Sequence, residues 1–405
     1  MTTRTISQIP AHVPPSLVLA ADPWSSGDVQ PHDWMLRVAG GRGLRYSQHN
    51  PLGFALGEGC WIAQGAEEIS AILLDDRNFL SHGSTGVGKL IGEDLALSPL
   101  ESDGTDHNRL RGLLRPLFQP KAVEAYRERI SALAMDLIAK IEADRRCEFV
   151  QDYALKLPTQ IFLELMGLPV ADLPRFLEWE NIVMGRDAPE KMPETWLKIR
   201  AYLAAAIEER HKAPSEDLLS RILAHSAAQA GDPVAEALGM AMLLFVAGLD
   251  TVVTALGWHF LHLAEHPEKQ ERLRSDPSLI PAAVDELLRA YAFTSLTRIA
   301  ARDVEVRGVK IKAGDVVVCP SVLASRDSTV YADPAKVDFD RGATRHFAFG
   351  LGKHICIGMH LARLELIVSL QCWLANVPRF HTPEGYRPPW HGGVSLGLDA
   401  LELNW

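Results

Sequence analysis

The segment from Asp232 to His266 constrains this chain more than any other. Asp232 is a good N-cap and Pro233 suits the first helical position. Apolar residues then recur at three- and four-residue spacing over Val234–Ala264, a helix unusually long for a globular protein. Its most apolar part, Ala241 to Ala247, reads as buried core, because nowhere do about 18 apolar residues run uninterrupted as a bilayer span requires. Burying such a rod takes a large core, and 405 residues, 47% of them hydrophobic, can supply one.

Helical spacing also covers Ala66–Asp75, Ala122–Ala143, Leu155–Met166, Glu194–His211, Ile280–Ala290 and Met359–Leu374. Strand signals fall at Arg42–Ser47, Gly59–Gln64, Asp303–Val309 and Asp315–Cys319. The first forty residues read as an irregular lead-in with Pro10, Pro14 and Pro15, and lack the apolar centre of a signal peptide. Ser325 to Gly358 is irregular, and a Gly/Pro-rich β region follows the last helix. With no repeat and no linker, residues 1–405 read as one mainly helical domain with a smaller β-sheet portion. A net charge of -10 repels nucleic acid and anionic membranes. The cysteines, Cys60, Cys147, Cys319, Cys356 and Cys372, are odd in number and include no CxxC. That excludes a disulfide framework or a zinc site and points to a reducing cytoplasm.

The cysteine with a distinctive setting is Cys356, in Phe349-Gly350-Leu351-Gly352-Lys353-His354-Ile355-Cys356-Ile357-Gly358. It sits just before a helix, whose N-terminus favours thiolate. Gly350, Gly352 and Gly358 permit positive φ and close approach of the backbone to a flat ligand. The pattern F-x-x-G-x-x-x-C-x-G resembles the haem-binding loop of the cytochromes P-450, with Phe349, Gly352, Cys356 and Gly358 at full spacing. Further resemblances follow in order over almost the whole chain and look most like the soluble, camphor-hydroxylating bacterial branch.

Ala247-Gly248-Leu249-Asp250-Thr251 is similar to that family's oxygen-activation pattern. A glycine inside a helix costs up to about 1 kcal/mol relative to alanine, so Gly248 needs a reason. Thr251 can bond back to the Ala247 carbonyl, bending the helix and opening a polar notch. An acid followed by an alcohol gives a proton relay from Asp250 to Thr251. The resemblance implies that Arg186 pairs with Asp250 and gates it.

The same resemblance implies haem b, with Cys356 as iron ligand and His107, Arg111, Arg298 and His354 beside the propionates. Glu286 and Arg289 match a structural E-x-x-R that locks its helix to the cysteine loop, helped by Asp333–Arg341. Leu296 departs from the pattern, since the camphor-hydroxylating relatives carry an acid there. Leu95 stands where they carry a tyrosine that donates to a substrate ketone, and Gly86 where they carry a bulky aromatic. A pocket lined by Leu95, Leu243, Val246, Ala247, Thr294, Leu296 and Val394 would then take a small to medium apolar substrate, terpenoid or norisoprenoid in size. Neither a flavin nor a nicotinamide fingerprint is present, so the resemblance implies an iron–sulfur ferredoxin and its reductase. They would meet Arg109, Arg115, Lys353 and Arg363 on a basic face of a monomer without a membrane anchor. A peroxygenase and a non-catalytic haem sensor or carrier are the alternatives. Asp250-Thr251 argues against both.

Overall fold

The computed structural model describes residues 9–25, 29–57, 59–227, 232–342 and 345–405. Parts of the lead-in (1–8, 26–28) and residues 343–344 of the irregular stretch lie outside the described residues. Nine helices position the site: α1 (Gly104–Leu114), α2 (Arg127–Ile141), α3 (Lys156–Met166), α4 (Leu173–Val183), α5 (Met192–Lys212), α6 (Pro233–Gly248), α7 (Asp250–Glu265), α8 (Ile280–Ala290) and α9 (Met359–Asn376). One five-stranded sheet holds β1 (Leu44–Ser47), β2 (Cys60–Ala63), β3 (Phe79–Leu80), β4 (Ser295–Ala300) and β5 (Val316–Pro320) in the order β1-β2-β5-β4-β3. Only the β2–β5 pair is parallel.

The expected long rod is present but broken. Asp232 caps α6 through its side chain, which accepts from the Val234 and Ala235 N–H groups. At Leu249 ψ reaches -72°, and α7 begins at Asp250. Taken together, Pro233–Glu265 is long and apolar enough to cross a bilayer, yet 67% of its most apolar window is buried in protein, as a core helix should be. The break also divides the core. Leu238, Met242, Phe245 and Leu249 pack with α1, α3, α4 and α5 in one apolar cluster, whereas Val252, Leu256 and Phe260 pack with the sheet, α2, α8 and α9 in another.

Several expectations change. The lead-in contains a helix, Pro31–Ala39, with Pro31 at its first position, Gln30 accepting from the Asp33 N–H, and Gly40 just past its end. Ala122–Ala143 is two helices, because residues 125 and 126 separate Pro120–Glu124 from α2. Asp303–Val309 is not one strand: it turns at Arg307-Gly308, both at positive φ, into a hairpin of Val304–Val306 with Val309–Ile311. The interior strand β4 carries no sequence expectation at all, and neither does α4.

Core polarity has a measurable consequence. His259 on α7 is buried, its Nδ1 has no hydrogen-bond partner among the described residues, and burial pushes the imidazole down to about 3. Its folded pKa lies below the ordinary 6.5, so the unfolded state takes up the proton first as pH falls. Stability is therefore lost from about 6.5 downward. Between pH 7.5 and 5 this one group withdraws about 2 kcal/mol. His259→Leu is expected to shrink the stability difference between those two pH values by that amount in urea unfolding. An unchanged difference would show that His259 is solvated or partnered.

Candidate active site

The cysteine loop is folded on itself. The Gly350 N–H donates to the Phe347 carbonyl and the Cys356 N–H to the Phe349 carbonyl, each at 2.9 Å. Gly350 and Gly352 take φ of +72° and +76°, and a Cβ on Gly352 would stand 2.9 Å from the Leu73 carbonyl oxygen. Gly358 is different. Its φ of -81° suits any residue, and what it provides is proximity to the sulfur, since a Cβ there would lie 3.9 Å from Sγ. The Phe349 ring lies under the Arg363 guanidinium, 4.7 Å from its centroid.

The Cys356 side chain is exposed, not packed into the core. Ala247 and Gly248 are likewise exposed in the middle of a rod that is otherwise mostly buried. A Cβ on Gly248 would meet nothing within 4 Å. Burial pushes the Cys356 thiol up, against the Gly358 N–H and the charges of Arg111 and Arg363. In the protein alone, then, the helix start does not outweigh desolvation. A bound metal cation would reverse that balance, because a coordinating thiol is deprotonated.

Donors without acceptors mark where anionic groups would lie. Both ring nitrogens of His107 are buried with no hydrogen-bond partner among the described residues, and its ring sits 4.1 Å from that of His354. Burial, Arg298, His107 and Arg111 push His354 down to about 3, and burial and Arg111 push His107 down. Both imidazoles are therefore neutral N–H donors. Arg298 is buried, and its hydrogen bond goes to the carbonyl of its own neighbour Thr297 at 2.8 Å. Arg111 donates to the Ile355 carbonyl at 2.5 Å. Cations and donors this deep call for carboxylates. Haem propionates fit, and the exposed Cys356 thiol fits an iron ligand.

On the rod, Thr251 Oγ1 donates to the Ala247 carbonyl at 2.8 Å, as the sequence leads one to expect. The buried Asp250 carboxyl pairs with Arg186 on one oxygen and accepts from Ser395 Oγ at 2.7 Å on the other. Burial works against the Arg186 charge, but nearby carboxylates, Asp250 foremost, outweigh it and hold the guanidinium ionised. Sequence reasoning missed Ser395 and Glu180. The first adjoins Val394, pairs with Thr294 through an antiparallel bridge, and reaches the rod through its hydroxyl on Asp250.

The pocket candidates divide. Leu95, Leu243 and Val246 belong to the apolar cluster of α6. Thr294 Oγ1 lies 3.3 Å from Ser321 Oγ, and the Val394 carbonyl accepts from the Ser295 N–H at 2.7 Å with its side chain 36% exposed. Leu296 packs onto the cysteine loop, its Cδ1 3.3 Å from a Cβ on Gly350. Gly86 opens no pocket space: at φ +68° its Cβ would strike the Ala55 Cβ at 2.4 Å, so backbone and packing against residues 55–56 explain this glycine. The basic face is also thinner than expected. Arg109 pairs with Glu236 at 2.8 Å, Arg363 with Asp285 at 2.6 Å and Lys353 with Asp76, which leaves Arg115 as the exposed cation of the four with no ion pair among the described residues.

Glu286 and Arg289 form a buried clamp. Arg289 gives Nε and Nη2 to the two Glu286 oxygens, each at 2.8 Å. Its other donors reach the carbonyls of Ser325 at 2.9 Å, Pro334 at 2.8 Å and Lys336 at 3.0 Å. Glu286 also accepts from the Asp338 N–H and Arg341 Nε. One helix pair thus fixes the irregular segment that leads into the cysteine loop.

Comparison with known proteins agrees with this geometry. Residues 125–389 match the family described as Cytochrome P450. The chain is 34% identical to "Probable cytochrome P450 127A1" of Sinorhizobium fredii, over 98% of this chain and 97% of that protein. It is 34% identical to "Vitamin D(3) 25-hydroxylase" of Pseudonocardia autotrophica, over 74% and 72%. The solved structure of cytochrome P450 CYP101C1 superposes with a TM-score of 0.87 at 34% identity, covering 98% of this chain and all of that one. That of CYP101J2 does so with the same score at 30% identity, over 98% and 99%. The chain belongs to the bacterial cytochrome P450 family, monooxygenases that carry a thiolate-ligated haem.

Proposed function

We propose that this monooxygenase inserts one oxygen atom of O2 into a small to medium apolar substrate of terpenoid or norisoprenoid size. In this reading it acts in the cytoplasm with electrons from an iron–sulfur ferredoxin and its reductase. The observation that carries the reading is the polar notch at Gly248–Thr251, where the rod is exposed at Ala247 and Gly248 and Asp250 is anchored by Arg186 and Ser395. Cys356 is the iron ligand, and His107, Arg111, Arg298 and His354 hold the propionates. The haem, when bound, supplies the activation of dioxygen.

The chain's own residues do the rest. Phe349 and Gly350 shape the loop around the sulfur, and Gly358 donates its N–H to it. Thr251 spends its hydroxyl hydrogen on the Ala247 carbonyl, so its oxygen presents lone pairs to the notch. Asp250 collects protons from water and passes them toward Thr251 when Arg186 releases it. Leu95, Leu243, Val246 and Ala247 offer the substrate apolar contact, with Thr294, Leu296 and Val394 on the sheet side.

Purified holoenzyme, screened for substrate-induced spin shifts, should respond to terpenoid-sized apolar compounds. Camphor should bind at least about tenfold more weakly than the best of them, because one donor hydrogen bond is worth roughly 1 kcal/mol and its pocket fit is lost as well. Tight, well-coupled camphor turnover would overturn the substrate assignment. Absence of product with every ferredoxin supplied would overturn the electron donor.

A further inference from the structure

The relay's arginine has two buried carboxyls to answer, and only one of them belongs to the relay. Glu180 on α4 is buried, its Oε1 3.7 Å from Arg186 Nη1, while its Oε2 accepts from Thr159 Oγ1 of α3 at 3.3 Å. The other terminal nitrogen of Arg186 pairs with Asp250. Neither Glu180 Oε1 nor Arg186 Nη1 has a hydrogen-bond partner among the described residues. From this geometry we infer that Glu180 is a positioning residue of the relay, which by its own charge sets how tightly Arg186 holds Asp250. The inference rests on the Asp250–Thr251 relay proposed above.

Two anions around one cation would leave a negative charge uncompensated in a dry site. The chain avoids this by keeping one carboxyl neutral. Burial pushes Glu180 up to about 8; Arg186 opposes the shift and Asp250 adds to it. At neutral pH Glu180 holds its proton and the Arg186 charge goes undivided to Asp250. As pH rises through about 8, Glu180 ionises, competes for the guanidinium, and loosens Asp250. Beyond Arg186 lie Asp399 and its partner His391, whose Nδ1 is 2.6 Å from the Asp399 carboxyl, and Ser395 on the far oxygen of Asp250. These groups face Arg186 rather than Glu180 and set the background against which Glu180 acts.

Infrared spectra of the resting holoenzyme between pH 6 and 10 test the charge state. A protonated-carboxyl band should be present at pH 7, fade near pH 8, and lose one component in Glu180→Gln. Glu365 is also pushed up to about 8 by burial, so the Glu180 share is the part missing from that variant. The solvent isotope effect on turnover should fall as pH rises through 8 in the wild type, stay level in Glu180→Gln, and fall again in Glu180→Asp. Identical carboxyl bands in wild type and Glu180→Gln, or the same pH limb in both, overturn the inference. Should Glu180→Gln not fold, the bands and limb of Glu180→Asp decide in its place: they shift relative to wild type if Glu180 titrates, and coincide with it if it does not. Asp250→Asn separates the two readings, since an unchanged isotope effect there overturns the relay itself.

Discussion

Cys356→Ser will abolish the red-shifted absorbance of the reduced, carbon-monoxide-bound form and reduce oxygen insertion to background, while the fold survives. The fold survives because the Cys356 side chain is exposed rather than packed in the core, so little apolar contact is lost. The spectrum changes because no other thiol can stand in. Cys60, Cys147 and Cys319 are buried with their thiols pushed up, and Cys372 is half-buried and pushed up as well. The Cys356 thiol, also raised by burial, has a backbone N–H and two arginines drawing it toward the anion. The reduced, carbon-monoxide difference spectrum decides the matter. A variant that keeps the wild-type band would remove Cys356 as the ligand.

Arg289→Ala will destabilise the protein by about 3–5 kcal/mol, the usual consequence of stranding one member of a buried ion pair. Here the stranded partner is Glu286, and three carbonyls of residues 325–336 lose their donor together. Since those carbonyls belong to the segment that leads into the cysteine loop, haem content should fall along with the urea midpoint. Arg289→Lys recovers little, because a point charge cannot satisfy a bidentate carboxylate and three carbonyls at once. A loss below about 1 kcal/mol would place the clamp among ordinary surface pairs.

What the sequence made legible was local. Asp232-Pro233 announced a helix start, Ile280–Ala290 kept its bounds, and the spacing from Phe349 to Gly358 located a loop whose turns need Gly350 and Gly352. The Thr251 back-bond was also foreseeable, since its acceptor is four residues away. What escaped depends on distant partners. Ser395 reaches Asp250 across 145 positions, and Glu180 becomes interesting only once Arg186 folds back over α4. β4 alternates poorly because both its faces are buried at several positions, so period-two reading passes over it. What fixes Gly86 is likewise distant in sequence. Its neighbours 55–56 lie thirty positions away, and the pattern showed an absent side chain without showing what fills the space. The helix Pro31–Ala39 did carry signals, Pro31 and Gly40, that a proline-rich setting obscured.

The break at Leu249 has a consequence for how such a chain can change over time. Packed interiors pass a change in volume on to their immediate neighbours. Leu95, Leu243 and Val246 share their neighbours with α1, α3, α4 and α5, whereas Leu287, Leu288 and Phe339, around the arginine clamp, belong to the other body of packed residues. Mutations that do not share partners add nearly independently. Changes of volume around Leu243 and Val246 are therefore expected to leave the packing around the Glu286–Arg289 clamp as it is.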